Sequence, residues 1–187
     1  LGINPGDYVT ITSFSHHPFY EKFVLEVPDN WAAGLFYNLP IEEMIQVIDY
    51  SINNGYTVAW ASDVSDRGFS MREGVAVVPE KDWNEMTTEE AENVFKAPVK
   101  QRVITQEMRQ KEFDNFSTTD DHGMHIVGIA TDQQGSIYYK VKNSWGETGK
   151  YKGFIYVSRP FVMLRTTNIM VNKNGIPPAI AQKLGLK

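Results

Sequence analysis

Residues 121–146 read DHGMHIVGIATDQQGSIYYKVKNSWG. Two runs rich in β-branched and aromatic residues, 124–130 and 137–142, flank a polar turn at 132–136, and this pattern predicts a β-hairpin. His122 stands just before the first predicted strand, and Asn143 follows the second. We expect the two side chains to meet across the hairpin. The asparagine oxygen would then accept a hydrogen bond from one ring nitrogen and leave the other to act on a nucleophile.

Two neighbours of Asn143 allow further interpretations. The Trp145 indole could shield the predicted hydrogen bond from water, because a lower local dielectric strengthens such a bond. An ordinary hairpin with a buried tryptophan is the alternative. A hydrolase that uses Asp121, His122 and Ser144 is a weaker alternative, since Ser144 adjoins the asparagine and does not lie on a nucleophile-bearing turn.

The histidines give little indication of a metal site. His122 and His125 are three residues apart on a predicted strand, so their side chains should point to opposite faces of the sheet. His16 and His17 are adjacent, and we expect them to diverge, with no third ligand in view. We therefore predict no bound metal.

The remaining pattern predicts an α+β fold. Strands are expected at 8–12, 23–27, 57–61, 154–158 and 168–171, because these runs are apolar and rich in β-branched residues. Helical spacing or capping signals predict helices at 40–54 and 105–116, a short helix beginning near Thr87, and a last helix at 177–184. Between them, residues 65–106 are expected to form a surface excursion.

Composition excludes several classes of protein. Of the 187 residues, 42% are hydrophobic and 22% are charged, which is typical of a globular domain and not of a disordered chain. The net charge of −5 offers no excess of positive charge for nucleic acid or for an anionic membrane. No apolar run approaches the ~20 residues that span a bilayer. The chain has no cysteine, so disulfides and zinc–thiolate sites are excluded.

The segments 121–124 and 142–146 resemble the histidine and asparagine blocks of papain-like cysteine peptidases. Three further stretches resemble the bleomycin hydrolase and aminopeptidase C branch of that family, namely 3–10, the 41–55 helix with the Trp60 strand after it, and 151–154. The resemblance covers nearly the whole chain. It implies a papain-like cysteine proteinase fold, with an antiparallel sheet or barrel and flanking helices.

The resemblance also implies an activity, hydrolysis of peptide bonds by a thiolate without a cofactor. His122 would pair with the thiolate and protonate the leaving amine, and Asn143 would orient the histidine ring. Trp145 would cover the bond between them. Asp121 and Gly123, on either side of the histidine, would border the peptide substrate.

One departure from the family is decisive, because the mechanism needs a cysteine. In papain and the cathepsins that cysteine lies ~130–150 residues before the histidine, a spacing that would place it ahead of Leu1 here. We therefore expect residues 1–187 to be the C-terminal portion of a peptidase, inactive without the N-terminal portion of the same protein. The alternative is a catalytically dead relative with a structural or peptide-binding role.

Other properties follow from the resemblance alone. It implies a homohexameric assembly and a cytoplasmic location, and in some members an affinity for nucleic acid, which the net charge of −5 does not support. In several members a C-terminal tail restricts the enzyme to amino-terminal cleavage. This sequence stops at Lys187, so the choice between exopeptidase and endopeptidase action stays open.

Overall fold

A computed structural model describes residues 2–186, so the two end residues of the expected 1–187 portion lie outside the description. Within it the strands form a ten-stranded sheet in the order β2-β3-β1-β10-β4-β7-β8-β9-β6-β5. The strands are Tyr8–Thr12 (β1), Lys22–Val24 (β2), Leu35–Asn38 (β3), Val58–Ser62 (β4), Phe69–Ser70 (β5), Val75–Ala76 (β6), His122–Thr131 (β7), Ile137–Lys142 (β8), Phe154–Ser158 (β9) and Thr166–Asn172 (β10). Neighbouring strands are antiparallel except for the parallel pairs β1–β3 and β6–β9.

The helices lie at Ile41–Asn53 (α1), Thr88–Asn93 (α2), Gln106–Asp114 (α3), Arg159–Arg165 (α4) and Pro178–Lys183 (α5). The predicted helix at 40–54 is confirmed, because its apolar residues at helical spacing are buried against the sheet. Pro40 carries no side-chain cap, and the Gln106 amide oxygen accepts the Ile41 N–H at 2.8 Å instead. No helix among residues 2–186 is long and apolar enough to cross a membrane.

Several predicted boundaries were wrong, for local reasons. The strand expected at 23–27 ends at Val24, because the chain turns where the Val27 N–H donates to the Leu25 carbonyl. Strand β3 was not predicted, because it has only four residues. Helix α4 was not predicted, because its sequence is an apolar run without amphipathic spacing. The one sequence feature that indicates a helix there is the N-cap residue Ser158, whose hydroxyl accepts the Phe161 N–H.

Residues 65–106, expected as a surface excursion, contain β5, β6 and α2. Strand β6 pairs with β9 and so extends one edge of the sheet. Farther along, Val77 and Val94 are buried with Tyr138 of β8 in a small apolar cluster. The excursion therefore packs against the same hairpin that carries the candidate site.

Strand register places two rows of side chains on opposite faces of the sheet. Ile11, Ile169, Trp60 and Met124 pair across β1, β10, β4 and β7, and they belong to the main core. One residue earlier or later on each strand, the next row faces the other way. That row, made of Thr10, Met170, Ala59 and His125, forms an outer face on which Met170 is 45% exposed.

Candidate active site

The structure brings His122 and Asn143 together at one end of the β7–β8 hairpin. His122 is the first residue of β7, and Asn143 directly follows β8. His122 Nε2 lies 2.8 Å from Asn143 Oδ1. The asparagine is buried, and its backbone N–H donates to the Gly153 carbonyl at 2.8 Å. The backbone hydrogen bond to Gly153 thus helps to fix the position of the Asn143 side-chain amide that faces the histidine.

This hydrogen bond determines which ring nitrogen of His122 can react. An amide oxygen only accepts, so the proton of the neutral ring lies on Nε2. Nδ1 then carries the free lone pair. A nucleophile whose proton is to be removed must therefore approach Nδ1.

Trp145 lies beside the pair, as the sequence suggested. Its ring centroid is 4.5 Å from that of His122, and the two planes are inclined by 33°. The side chain is 47% exposed, so it covers one side of the histidine and leaves its own outer side in solvent. Phe69 meets its ring edge-on at 6.5 Å.

A glycine that the sequence analysis did not single out closes the loop after Asn143. Gly153 has φ +89°, and a Cβ at this position would lie 2.4 Å from the Gly146 carbonyl oxygen. The position therefore excludes any side chain. Because Gly153 also accepts the Asn143 N–H, its conformation helps to place the asparagine. The only indication of its importance in the sequence was that it lies in the 151–154 stretch, which resembles the bleomycin hydrolase and aminopeptidase C branch.

Asp121 belongs to a carboxylate network that reaches back to the end of β4. The buried side chain of Asp63 accepts the backbone N–H groups of Ser65 at 2.8 Å and of Thr119 at 3.0 Å. The Thr119 hydroxyl donates to Asp121 at 2.5 Å. Asp63 and Thr119 were not predicted as site residues, because nothing in the local sequence of either one indicates that two loops 56 positions apart would join.

The two carboxyl groups shift in opposite directions. Burial raises the pKa of Asp63 above its ordinary value, and the nearby Asp121 adds to the effect. Burial would also raise the pKa of Asp121, but hydrogen bonds from Thr119 and Asp63 outweigh it and hold that pKa below its ordinary value. Of the two carboxyl groups, Asp121, next to His122, therefore ionises at the lower pH.

Gly123 and Ser144 lie on the exposed side of the site. A Cβ at Gly123 would meet nothing within 4 Å, so this position opens onto free space. The Ser144 hydroxyl is 3.3 Å from His122 Nε2, the nitrogen already bonded to Asn143. It does not approach Nδ1, which argues against Ser144 as a nucleophile activated by this histidine.

The two histidines expected to diverge instead converge on one carboxylate, which corrects the expectation. His16 Nε2 lies 3.1 Å from Glu26 Oε2, and His17 Nε2 lies 2.9 Å from Glu26 Oε1. Both rings pack against Phe23, with centroid distances of 5.5 and 4.2 Å. Two histidines and a carboxylate are a ligand set that zinc accepts.

The Gln110 amide determines which nitrogen of the neutral His16 ring carries the proton. Its Oε1 accepts the Ser15 N–H at 2.6 Å, and its Nε2 donates to Asp114 at 2.7 Å. The amide N–H₂ consequently faces His16 Nδ1 at 3.1 Å, so the proton of the neutral ring stays on Nε2, toward Glu26. A metal at Nε2 would require the opposite tautomer. Hydrogen bonding of both rings to Glu26 therefore explains why the two histidines converge.

Comparison with known proteins finds relatives of this chain by sequence. The profile of the Peptidase C1-like family matches residues 1–186. Aminopeptidase C of Lactobacillus helveticus is 25% identical over 166 residues, which cover 87% of this chain and 34% of that protein. Aminopeptidase G of Lactobacillus delbrueckii subsp. lactis is 24% identical over 173 residues, which cover 89% of this chain and 36% of that protein.

One solved structure shares the fold over almost the whole chain. The crystal structure of PepW from Lactobacillus rhamnosis HN001 superposes with a TM-score of 0.70 at 19% identity. The match covers 98% of this chain and 39% of PepW. The chain thus spans little more than a third of the length of these relatives, with 34% of aminopeptidase C and 36% of aminopeptidase G covered.

Proposed function

Because this chain belongs to the Peptidase C1-like family, we propose that it supplies the histidine and asparagine of a cysteine-type aminopeptidase site. The expected papain-like α+β fold is confirmed by the likeness to PepW. The observation that carries the proposal is the 2.8 Å contact between His122 Nε2 and Asn143 Oδ1, which leaves Nδ1 available. The 187 residues contain no cysteine, so the thiolate would come from a part of the protein outside them.

In the proposed reaction the thiol of the nucleophile first gives its proton to Nδ1 of His122, and the resulting thiolate attacks the carbonyl carbon of the first peptide bond of the substrate. The C–N bond then breaks as Nδ1 of His122 gives its proton to the leaving amine, and a thioester remains. Water attacks the thioester carbonyl and gives a proton to Nδ1, which releases the amino acid and the thiolate. Throughout, Asn143 keeps the ring oriented by accepting Nε2–H.

The outer face of the sheet supports the idea that another part of the protein packs against this chain. Tyr8, Leu35 and Met170 are 38%, 56% and 45% exposed, and they line a groove of about 780 Å³. Apolar surface of this kind is normally covered by a partner. Gly123 lies on the same face as His125, which also lines the groove. We propose that another part of the protein covers this groove, and that Asp121 and Gly123 border the substrate.

The missing cysteine also favours a second function, binding of peptides without hydrolysis. In that case His122 and Asn143 would be retained by a relative that has lost its nucleophile. The two functions differ in one respect that can be tested, the presence of a reactive thiol in the longer protein.

The test compares the 187-residue chain with the longer protein that contains it, each in reducing buffer with aminoacyl fluorogenic substrates. We expect no turnover by the chain alone, turnover by the longer protein, and its loss after alkylation with iodoacetamide. Turnover by the chain alone above that of its His122→Ala variant would overturn the proposal. A folded longer protein that binds peptides but never cleaves them would establish the second function instead.

A further inference from the structure

A cavity of about 460 Å³ opens between the segment that follows β2 and the C-terminal end of α3. Val27 and Pro28 form one apolar wall, and Phe113 and Phe116 form the other. Phe116 has φ +60° and is 83% exposed. This left-handed conformation costs a non-glycine residue roughly 1–2 kcal/mol, and it holds a large aromatic ring in solvent at the rim. Such a ring gains burial only when something enters the cavity.

The polar lining of the cavity is acidic. Glu26, Asp114 and Asp120 contribute carboxylates, and the described lining includes no lysine or arginine. Glu26 already accepts hydrogen bonds from two histidines, and Asp114 accepts one from Gln110. Asp114 and Asp120 each accept one side-chain hydrogen bond, and Asp120 is the more buried of the two.

Asp120 is half-buried beside other acidic groups. Its Oδ1 accepts the Thr167 hydroxyl at 2.8 Å, and among residues 2–186 no cationic side chain forms a salt bridge with it. Burial raises the pKa of Asp120 above its ordinary value, and the charges of Asp29 and Asp121 add to that effect. A cation at Asp120 would relieve the repulsion among these carboxylates.

Arg165 contacts a lining residue but does not neutralise the cavity. Arg165 donates to the Thr118 hydroxyl at 2.6 Å, behind the lining. Its charge is taken up by Asp66 at 2.6 Å and by Glu112 at 3.0 Å. The cavity therefore combines apolar walls, one of them aromatic, with a carboxylate that has no salt-bridge partner among residues 2–186.

The cavity is also connected to the candidate active site. Thr119 lines it and donates to Asp121, the residue before His122. An apolar wall with a negative group suits a side chain that has an aliphatic stem and a cationic end. We propose that the cavity binds the side chain of a lysine or arginine of a peptide, with the stem between the Val27–Pro28 wall and the two phenyl rings and the cation at Asp120. The inference rests on the proposed function only in that the ligand is a peptide.

The test measures binding to the 187-residue chain, so it does not depend on the nucleophile. Titrations followed by NMR of the backbone amides would compare acetyl-Ala-Lys-Ala-amide with acetyl-Ala-norleucine-Ala-amide, which keeps the stem and lacks the ammonium. We expect the lysine peptide to bind about fivefold more tightly and to shift the amides of residues 113–120. Asp120→Asn should abolish that preference, whereas Glu89→Gln, which removes an exposed charge on α2, should preserve it.

A second variant tests the aromatic wall. Phe116→Gly removes the ring at a position whose positive φ favours glycine, so loss of folding is not expected. It should weaken both peptides by the same factor. Equal affinity of wild type for the lysine and norleucine peptides, or a lysine preference that survives Asp120→Asn, would overturn the proposal. Equally tight binding of a norleucine peptide with a free amino terminus would assign the cavity to α-ammonium groups, which also contradicts the side-chain assignment.

Discussion

Asp63 Oδ2 accepts the backbone N–H of Thr119 at 3.0 Å and so joins the end of β4 to the segment just before His122. The same carboxylate accepts the Ser65 N–H and hydroxyl through Oδ1, each at 2.8 Å. It is almost fully buried. A single carboxylate therefore determines how the chain enters the candidate site.

This carboxylate gives a pH-dependent prediction. The pKa of Asp63 is raised in the folded protein, above all by burial, so its stabilising contribution is fully present below pH 3.8, the ordinary value, and is lost as pH rises through the raised pKa. Asp63→Asn keeps an acceptor and removes the titration. We expect it to destabilise the protein by about 1–3 kcal/mol near pH 3.5 and by less near pH 7, as measured by urea unfolding.

Asp132 provides a control of opposite sign. Burial alone would raise the pKa of Asp132, but hydrogen bonds from the backbone N–H groups of Ser136 and Gln134 outweigh it and lower that pKa. Asp132→Asn should therefore cost more stability near pH 7 than near pH 3.5. The same pH trend for both variants would contradict the assignment of the raised pKa to Asp63.

Two glycines with similar backbone angles separate a conformational cost from a steric one. Gly135 has φ +83° and space for a Cβ, whereas a Cβ at Gly153, with φ +89°, would lie 2.4 Å from a carbonyl oxygen. We expect Gly135→Ala to cost ~1–2 kcal/mol of unfolding free energy and Gly153→Ala to cost more. Gly153→Ala should also weaken the His122–Asn143 bond, seen as a change in the ring ¹⁵N signals of His122. Equal costs for the two variants would contradict the close approach at Gly153.

Much of the site is local in sequence, and that part could be predicted. His122 and Asn143 flank one hairpin, so two strands and a turn suffice to bring them together. The helix at 40–54 could be predicted equally well, because its apolar residues are regularly spaced. Patterns of this kind need no knowledge of distant contacts.

The supporting residues could not be predicted in the same way. Asp63 and Thr119 acquire a role only when the sheet places β4 next to β7, and Gly153 only when its loop folds back over Gly146. Strands β5 and β6 have two residues each and exist as strands because they pair with each other and β6 also pairs with β9. The convergence of His16 and His17 likewise depends on Glu26, which packing brings to them.

Trp145 gives a prediction about access of water. Its ring covers one side of His122 at a centroid distance of 4.5 Å. Trp145→Ala should therefore speed exchange of the His122 Nε2–H proton with solvent on the order of tenfold, as measured by NMR. Trp31→Ala removes a tryptophan that is 90% exposed and should leave the rate unchanged. Exchange that is indifferent to Trp145 would show that the indole does not shield the bond.

The central claim assigns proton transfer to His122 and orientation to Asn143. The most direct measurement is kcat/KM of the longer protein and of its His122→Ala and Asn143→Ala variants on an aminoacyl substrate. Loss of the proton-transfer group should lower kcat/KM by about 10²–10⁴-fold. Loss of the orienting amide should lower it by a smaller factor, since Nδ1 can still act in the fraction of molecules with a correctly placed ring. Equal losses, or a larger loss for Asn143→Ala, would contradict the account.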